Sequence, residues 1–223
     1  MRPKSTLALR WLCHSVIANI LFELTLDQET GDWLRYFYQS DSHVVLEYGT
    51  GGSTVLALES NPNTVVYACE TDSAWLGRLM LHLAEKKFSD RVYPVHLDIG
   101  QTGAWGVPEF EGSLSMTSSR MQKFLQSPLT PWKLIRKHGQ HPDLVFIDGR
   151  WRNACFLATL LFARKEVLVV WDDYLDRPQY HLYENMIKPV KFLGRSAIYE
   201  LKPDNYDAAE IIEKYLSVFA DWA

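Results

Sequence analysis

Residues 43–54 read HVVLEYGTGGST: an apolar run of Val44, Val45 and Leu46, a carboxylate at Glu47, glycines at 49, 51 and 52, then the hydroxyls of Ser53 and Thr54. A short apolar run bounded by glycines is the pattern of a buried parallel strand, and Ser or Thr ahead of the next apolar segment is how a helix opens. Glycine permits positive φ and lets a ligand approach the main chain. A hydroxyl cap leaves the helix's first N–H groups free to face that ligand. The stretch predicts strand, turn and helix, with Glu47, Gly49, Gly51, Gly52 and Ser53 around a ligand. An ordinary tight turn also uses glycine, so the turn alone does not separate a binding loop from a plain connection.

Working outward, residues 65–69, VVYAC, form a second apolar strand that ends at Glu70, about where a βαβ unit delivers an acid to ribose hydroxyls. Residues 92–97 supply a third strand before Asp98. Residues 143–148, DLVFID, supply a fourth that ends at Asp148, and residues 167–171 a fifth that runs into Asp172 and Asp173. Ligands of open α/β sheets bind outside the carboxyl ends of the strands, so these acids should share one rim. VKFL and AIYEL, joined through Gly194, Arg195 and Ser196, read as a terminal hairpin. The dinucleotide fingerprint fits less well, because its third small residue would fall at Thr54 and it makes no use of Glu47.

VLEYGTGGS resembles motif I of the class I S-adenosylmethionine-dependent methyltransferases, an apolar strand and an acid followed by Gly-x-Gly-x-Gly, with Ser53 at the third glycine. The resemblance spans residues 43–201. It implies an α/β three-layer sandwich around a mostly parallel seven-stranded sheet closed by an antiparallel hairpin, with S-adenosylmethionine as cofactor. Glu70 resembles that family's ribose-binding acid, and Asp98 the residue facing the adenine amine; Asp148 would also border the cofactor. Asp148, Asp172 and Asp173 resemble the Asp, Asp and Asn set that holds Mg²⁺ in catechol-type O-methyltransferases, where the metal acidifies neighbouring hydroxyls. The sequence departs from that pattern at Trp151, which stands where those enzymes carry a lysine base.

At 223 residues, 47% apolar and 22% charged, the chain has the length of one well-packed domain, 1–223, with a helical extension over 1–42, a core over 43–201 and a closing helix over 202–223. A formal charge of −4 argues against general nucleic-acid binding, which needs a clustered excess of Lys and Arg. Cys13, Cys69 and Cys155 are odd in number and widely spaced, so buried thiols in a reducing cytoplasm are expected rather than disulfides or zinc. Residues 5–24 repeat apolar side chains at helical spacing, but Arg10, His14 and Asn19 interrupt them, against a signal peptide or a membrane span. A small molecule is the expected partner, neither nucleic acid nor membrane is, and a homodimer stays open.

The intervening helices are read from their caps. Thr25 with Gln28 suggests a capping box, Asp72 or Ser73 opens a helix carrying Leu76, Leu79 and Leu83, and Thr130 with Pro131 and Gly139 brackets another. Residues 178–188 and 207–219 read as two more. Residues 100–127 read as a long Gly- and Ser-rich connection of the kind that forms lids, with Trp105 as a contact for substrate or adenine and Trp75 as a cover for the ring or a core residue.

Methyl transfer from a sulfonium is an in-line displacement, so the protein has to position the acceptor, remove its proton and exclude water. Asp148, Arg150 and Arg152 are the catalytic candidates, the arginines as a grip for a substrate carboxylate or phosphate. His141, His181 and Tyr174 are alternative bases. Three readings follow: a methyltransferase acting on a small anionic oxygen acceptor, a non-catalytic S-adenosylmethionine-binding protein for which Trp151 is the motive, and an NAD-dependent oxidoreductase.

Overall fold

The structure is a computed structural model that describes residues 22–110 and 116–221. Seven strands form one sheet: β1 (Val44–Tyr48), β2 (Val65–Glu70), β3 (Val92–His96), β4 (Leu144–Ile147), β5 (Val167–Trp171), β6 (Lys191–Leu193) and β7 (Ser196–Leu201). Their order is β3-β2-β1-β4-β5-β7-β6. β1 to β5 are mutually parallel, and β7 runs antiparallel to both β5 and β6. This is the sheet the motif I resemblance implies. An all-parallel dinucleotide-binding order has no antiparallel strand inserted beside β5.

Helices cover both faces because the strands alternate at period two with apolar residues on each side. Val45, Val66, Ala68, Leu144, Phe146 and Val170 meet α1 (Gln28–Ser40), α2 (Gly52–Ser60) and α3 (Ser73–Glu85) through Leu34, Tyr38, Leu58, Leu79 and Leu83. Leu46, Tyr48, Tyr67, Cys69, Val145, Ile147 and Trp171 face the other layer. That layer holds α4 (Ser118–Gln126), α5 (Thr130–Lys137), α6 (Arg152–Phe162) and α7 (Ala208–Tyr215), packed through Phe124, Trp132, Ile135, Phe156 and Tyr215. Cys69 and Cys155 are buried in this second core as free thiols. No helix among the described residues is long and apolar enough to cross a membrane.

Several local expectations are corrected. α1 begins at Gln28 with no side-chain cap bond, so Thr25 and Gln28 form no capping box; Asp27, the residue before it, is engaged by Arg195 instead. Thr130 already has helical φ and ψ and its hydroxyl donates to Gln126 O at 2.9 Å, so it does not cap α5; Gly139, at φ +66°, does mark its end. The long connection contains α4, capped by Thr117 Oγ1 accepting from Arg120 N at 3.1 Å. Residues 178–183 wind as a 3-10 helix that buries Tyr180 and Tyr183, a three-residue spacing matching its three residues per turn. The helix read over residues 5–24 falls almost wholly outside the described residues, as does Cys13, and its last residues 22–24 are not helical.

Candidate active site

The glycine turn leaves β1 at Tyr48 and enters α2 at Gly52. Gly49 has φ +89°, and a Cβ there would lie 2.5 Å from Gly149 N, so the turns after β1 and β4 touch backbone to backbone. Glu47 lies beneath the turn, 2% exposed. One carboxylate oxygen accepts from Ser53 Oγ, the other from Thr54 Oγ1 at 2.5 Å, and Thr54 Oγ1 in turn accepts from Gly51 N at 3.1 Å. Glu47 and the Ser53 hydroxyl therefore shape the turn from below, each engaged with the other. Burial pushes the Glu47 carboxyl up to about 8, against the pull of those two hydroxyls.

On the other side of the turn, Thr50 Oγ1 is buried with no hydrogen-bond partner among the described residues. A Cβ on Gly51 would meet nothing closer than Trp75 Cζ2 at 3.8 Å. Trp75 is a strut as well as a wall, since its Nε1 donates to Thr50 O at 2.7 Å and its ring packs on Phe22 at 5.0 Å. Glu70 ends β2 next to this turn. Its Oε1 accepts from the N–H groups of Thr71 and Asp72 at 2.6 and 3.0 Å, while Oε2 receives, among the described residues, only a long 3.4 Å contact from Thr50 N. Burial raises the Glu70 carboxyl.

Asp98 stands two residues beyond β3 and is exposed; its Oδ2 pairs with Lys123 Nζ at 2.6 Å and its Oδ1 accepts from Gly100 N. The Lys123 bond and the Gly100 amide hold its carboxyl below the usual range. Between the Glu70 and β4 ends runs a turn over Ala104–Gly106. Thr71 Oγ1 donates to Gly106 O at 3.3 Å, and Arg150 Nε donates to Trp105 O at 2.8 Å. This strap is thus clipped to both sides of the glycine turn, and the Trp105 ring on it is 88% exposed.

At the ends of β4 and β5 three acids converge, with one oxygen each from Asp148, Asp172 and Asp173 within 4.8 Å of one another. Arg152, 5% exposed, donates to Gly149 O, Asp172 O and Asp148 O at 3.0, 2.6 and 3.0 Å. It is a bolt between two strand ends, which corrects its expected role as a substrate grip. Its Nη2 also pairs with Asp148 Oδ1 at 3.0 Å and Asp173 Oδ2 at 3.1 Å. Arg195 Nη2 lies 3.0 Å from Asp172 Oδ2, and Arg177 Nη2 2.8 Å from Asp173 Oδ2. Burial lifts the Asp148 carboxyl to about 7, with Arg152 pulling down and the neighbouring Asp172 and Asp173 pushing up.

Trp151, at the lysine position, turns inward with φ +56° and packs against Phe124 at 4.9 Å between ring centroids. His141 accepts from Arg164 N, and Tyr174, although it follows Asp173 directly, is buried with its hydroxyl hydrogen-bonded to Glu184 and Tyr199, so both alternative bases are already partnered. His181 packs on Tyr174 with rings 4.6 Å apart. Arg177 and Arg195 were not singled out by the sequence. Arg177 reaches Asp173 four residues earlier across the bend that follows β5, whereas Arg195 reaches the rim only because the hairpin folds back beside β5, and the run of Gly194, Arg195 and Ser196 reads locally as a plain turn.

Among solved structures, the chain is similar to a methyltransferase-like protein from Silicibacter pomeroyi, with 32% identity and a TM-score of 0.75 over 89% of this chain and 97% of that one. A methyltransferase from Geobacter sulfurreducens matches with 13% identity and a TM-score of 0.51 over 91% and 93% of the two chains, which shows the fold alone. No protein-family model and no curated protein matches the sequence. A relative of this identity and coverage, on this sheet order and this glycine turn, places the chain in the class I S-adenosylmethionine-dependent methyltransferase family.

Proposed function

We propose that the protein transfers the methyl group of S-adenosylmethionine to an oxygen of a small molecule that carries a carboxylate or phosphate nearby. The observation that carries this reading is the glycine turn: a buried Thr50 Oγ1 with no partner among the described residues, a Gly51 over which only Trp75 comes within van der Waals contact, and a Glu70 oxygen left nearly free. Those groups fit an adenosyl ligand, with Glu70 accepting ribose hydroxyls and Asp98 on the adenine side. When bound, the cofactor supplies an electrophilic methyl group.

The chain's own residues supply position and a proton acceptor. Asp148, a quarter exposed with 27% of its side chain open, is the rim carboxylate best placed to take the acceptor's proton, and a carboxyl raised toward neutral pH suits that task. Arg150 uses Nε on the strap, and its Nη atoms make no hydrogen bond among the described residues, which leaves its outer edge for the substrate's anionic group. The strap and Trp105 lie where they would exclude water from the reacting atoms. Trp151 in place of a lysine favours a second reading, a protein that binds the cofactor without turnover.

Calorimetry with S-adenosylhomocysteine tests the binding half. Wild type should bind, and Glu70→Ala should bind more weakly by about 1–3 kcal/mol, the worth of charge-assisted hydrogen bonds to ribose. Unchanged affinity in a folded Glu70→Ala protein would remove Glu70 from the site. Methyl transfer to a panel of hydroxyl acceptors with and without a carboxylate then separates enzyme from binder. Binding without transfer to any acceptor would leave the second reading.

A further inference from the structure

The acids at the ends of β4 and β5 have the spacing of a divalent-cation set, and the resemblance to catechol-type enzymes implies Mg²⁺ there. The side chains around them do not fit that ion. Mg²⁺ takes octahedral oxygen ligands at about 2.0–2.1 Å and keeps several waters, so it needs carboxylate oxygens that face open space. Here Asp172 Oδ2 faces Arg195, Asp172 Oδ1 accepts from Ser196 Oγ at 2.7 Å, Asp148 Oδ1 faces Arg152, and Asp173 Oδ2 faces Arg152 and Arg177. Asp173 Oδ1 lies 2.6 Å from Arg195 Nε, a charge contact off the hydrogen-bond line. Three carboxylates against three guanidinium groups already balance, and a dication added to them would meet like charge at short range.

The three arginines are not equivalent. Arg152 is bolted to main-chain carbonyls, and Arg177 reaches only Asp173. Of these three, Arg195 is the one that pairs with the carboxylates of both adjacent acids after β5, and it is held there from behind. Its own N–H donates to Asp27 Oδ2 at 2.7 Å, its Nη1 lies 3.2 Å from Asp27 Oδ1, and Gly194 N donates to Glu29 Oε2 at 2.9 Å. The turn approaches so closely that a Cβ on Gly194, at φ +51°, would sit 2.4 Å from Asp27 Oδ2. The start of α1 therefore fixes the hairpin tip, and the hairpin tip aims one guanidinium into the acidic rim.

We propose that Arg195 serves as the fixed cation of this rim: it takes the place a divalent metal would hold, positions Asp172 and Asp173, and keeps metal out. The inference concerns charge balance at the strand ends and stands independently of which acceptor is methylated. It makes a gain-of-function prediction, because removing the guanidinium leaves Asp172 Oδ2 and Asp173 Oδ1 as two neighbouring carboxylate oxygens without their shared cation.

The test titrates Mn²⁺ into the full chain and follows the free ion by electron paramagnetic resonance, with circular dichroism to confirm folding. Wild type should leave the Mn²⁺ signal unaltered, and its melting temperature should be the same in Mg²⁺ and in chelator. Arg195→Gln should bind Mn²⁺ at least about tenfold more tightly than wild type, while Arg195→Lys, which restores a cation, should exclude it again. A structural role alone would lower stability in both variants without creating an ion site. Arg195→Met, of similar length, replaces the Gln variant should that one fail to fold. Stoichiometric micromolar Mn²⁺ binding by wild type would overturn the proposal, and so would a folded Gln or Met variant that gains no affinity.

Discussion

Glu47 occupies the acid position of the motif, yet both its oxygens are taken by Ser53 and Thr54 and it faces the α1 and α2 layer. Its carboxyl ionises near 4.5 ordinarily and near 8 in the folded chain. Between those values the folded state holds a proton that the unfolded chain has lost, so stability falls as pH rises; the contribution is complete below the lower value and gone above the upper. Glu47→Gln keeps the shape and removes the titration. Its unfolding free energy relative to wild type should improve between about pH 5 and pH 9, by on the order of a few kcal/mol at the alkaline end, as denaturant titrations at each pH would read. A constant offset across that range would show that Glu47 is ionised in the fold. The residue's position was legible in the sequence but its direction was not, because the hydroxyls that hold it sit on the next element and read as helix caps.

At the scale of elements, the turn from β1 to α2 separates two demands on glycine. Gly49 is required by the backbone: its φ is left-handed and its Cβ would enter the turn after β4. Gly49→Ala should destabilise the fold by about 2–4 kcal/mol in denaturant titration. Gly51 has extended backbone at φ 172° and room for a Cβ in ordinary contact with Trp75 at 3.8 Å, so Gly51→Ala should stay within about 0.5 kcal/mol of wild type while weakening S-adenosylhomocysteine binding. Equal loss of stability in both variants would contradict this division. Elements with strong local signals were legible: apolar strands closed by acids, Asp72 accepting from Ala74 N and Trp75 N, Gly139 ending α5. α4 was not, because among its residues only Phe124 is buried and its surroundings are rich in Gly and Ser. The pairing of Arg195 with the rim acids was equally hidden, since it depends on a hairpin that returns from outside the local chain, and that of Arg177 with Asp173, four residues apart, depends on the bend between β5 and the 3-10 turn.

Across the whole molecule, one sheet carries two apolar layers, and β1 to β5 and β7 each contribute side chains to both, while β6 adds only Leu193 to the α1 and α2 side. A disturbance in either layer should therefore be felt by the same unfolding transition. Leu34→Ala on one side and Ile135→Ala on the other should each cost about 2–5 kcal/mol, and both should shift a single transition seen alike by near-UV and far-UV circular dichroism. Two separable transitions would show that the layers melt independently.

The two buried thiols give that cooperativity a clock. Cys69 lies near the end of β2 and Cys155 on α6 in the layer it faces, both with the thiol pushed up by burial, so a thiol reagent has no route to either sulfur while the core is closed. In a Cys13→Ser background, labelling under native conditions should proceed only as fast as the core opens, at one shared rate for both cysteines, and its dependence on denaturant should match that of global unfolding. Faster labelling of Cys155 than of Cys69 would reveal that α6 leaves the sheet before the strands part.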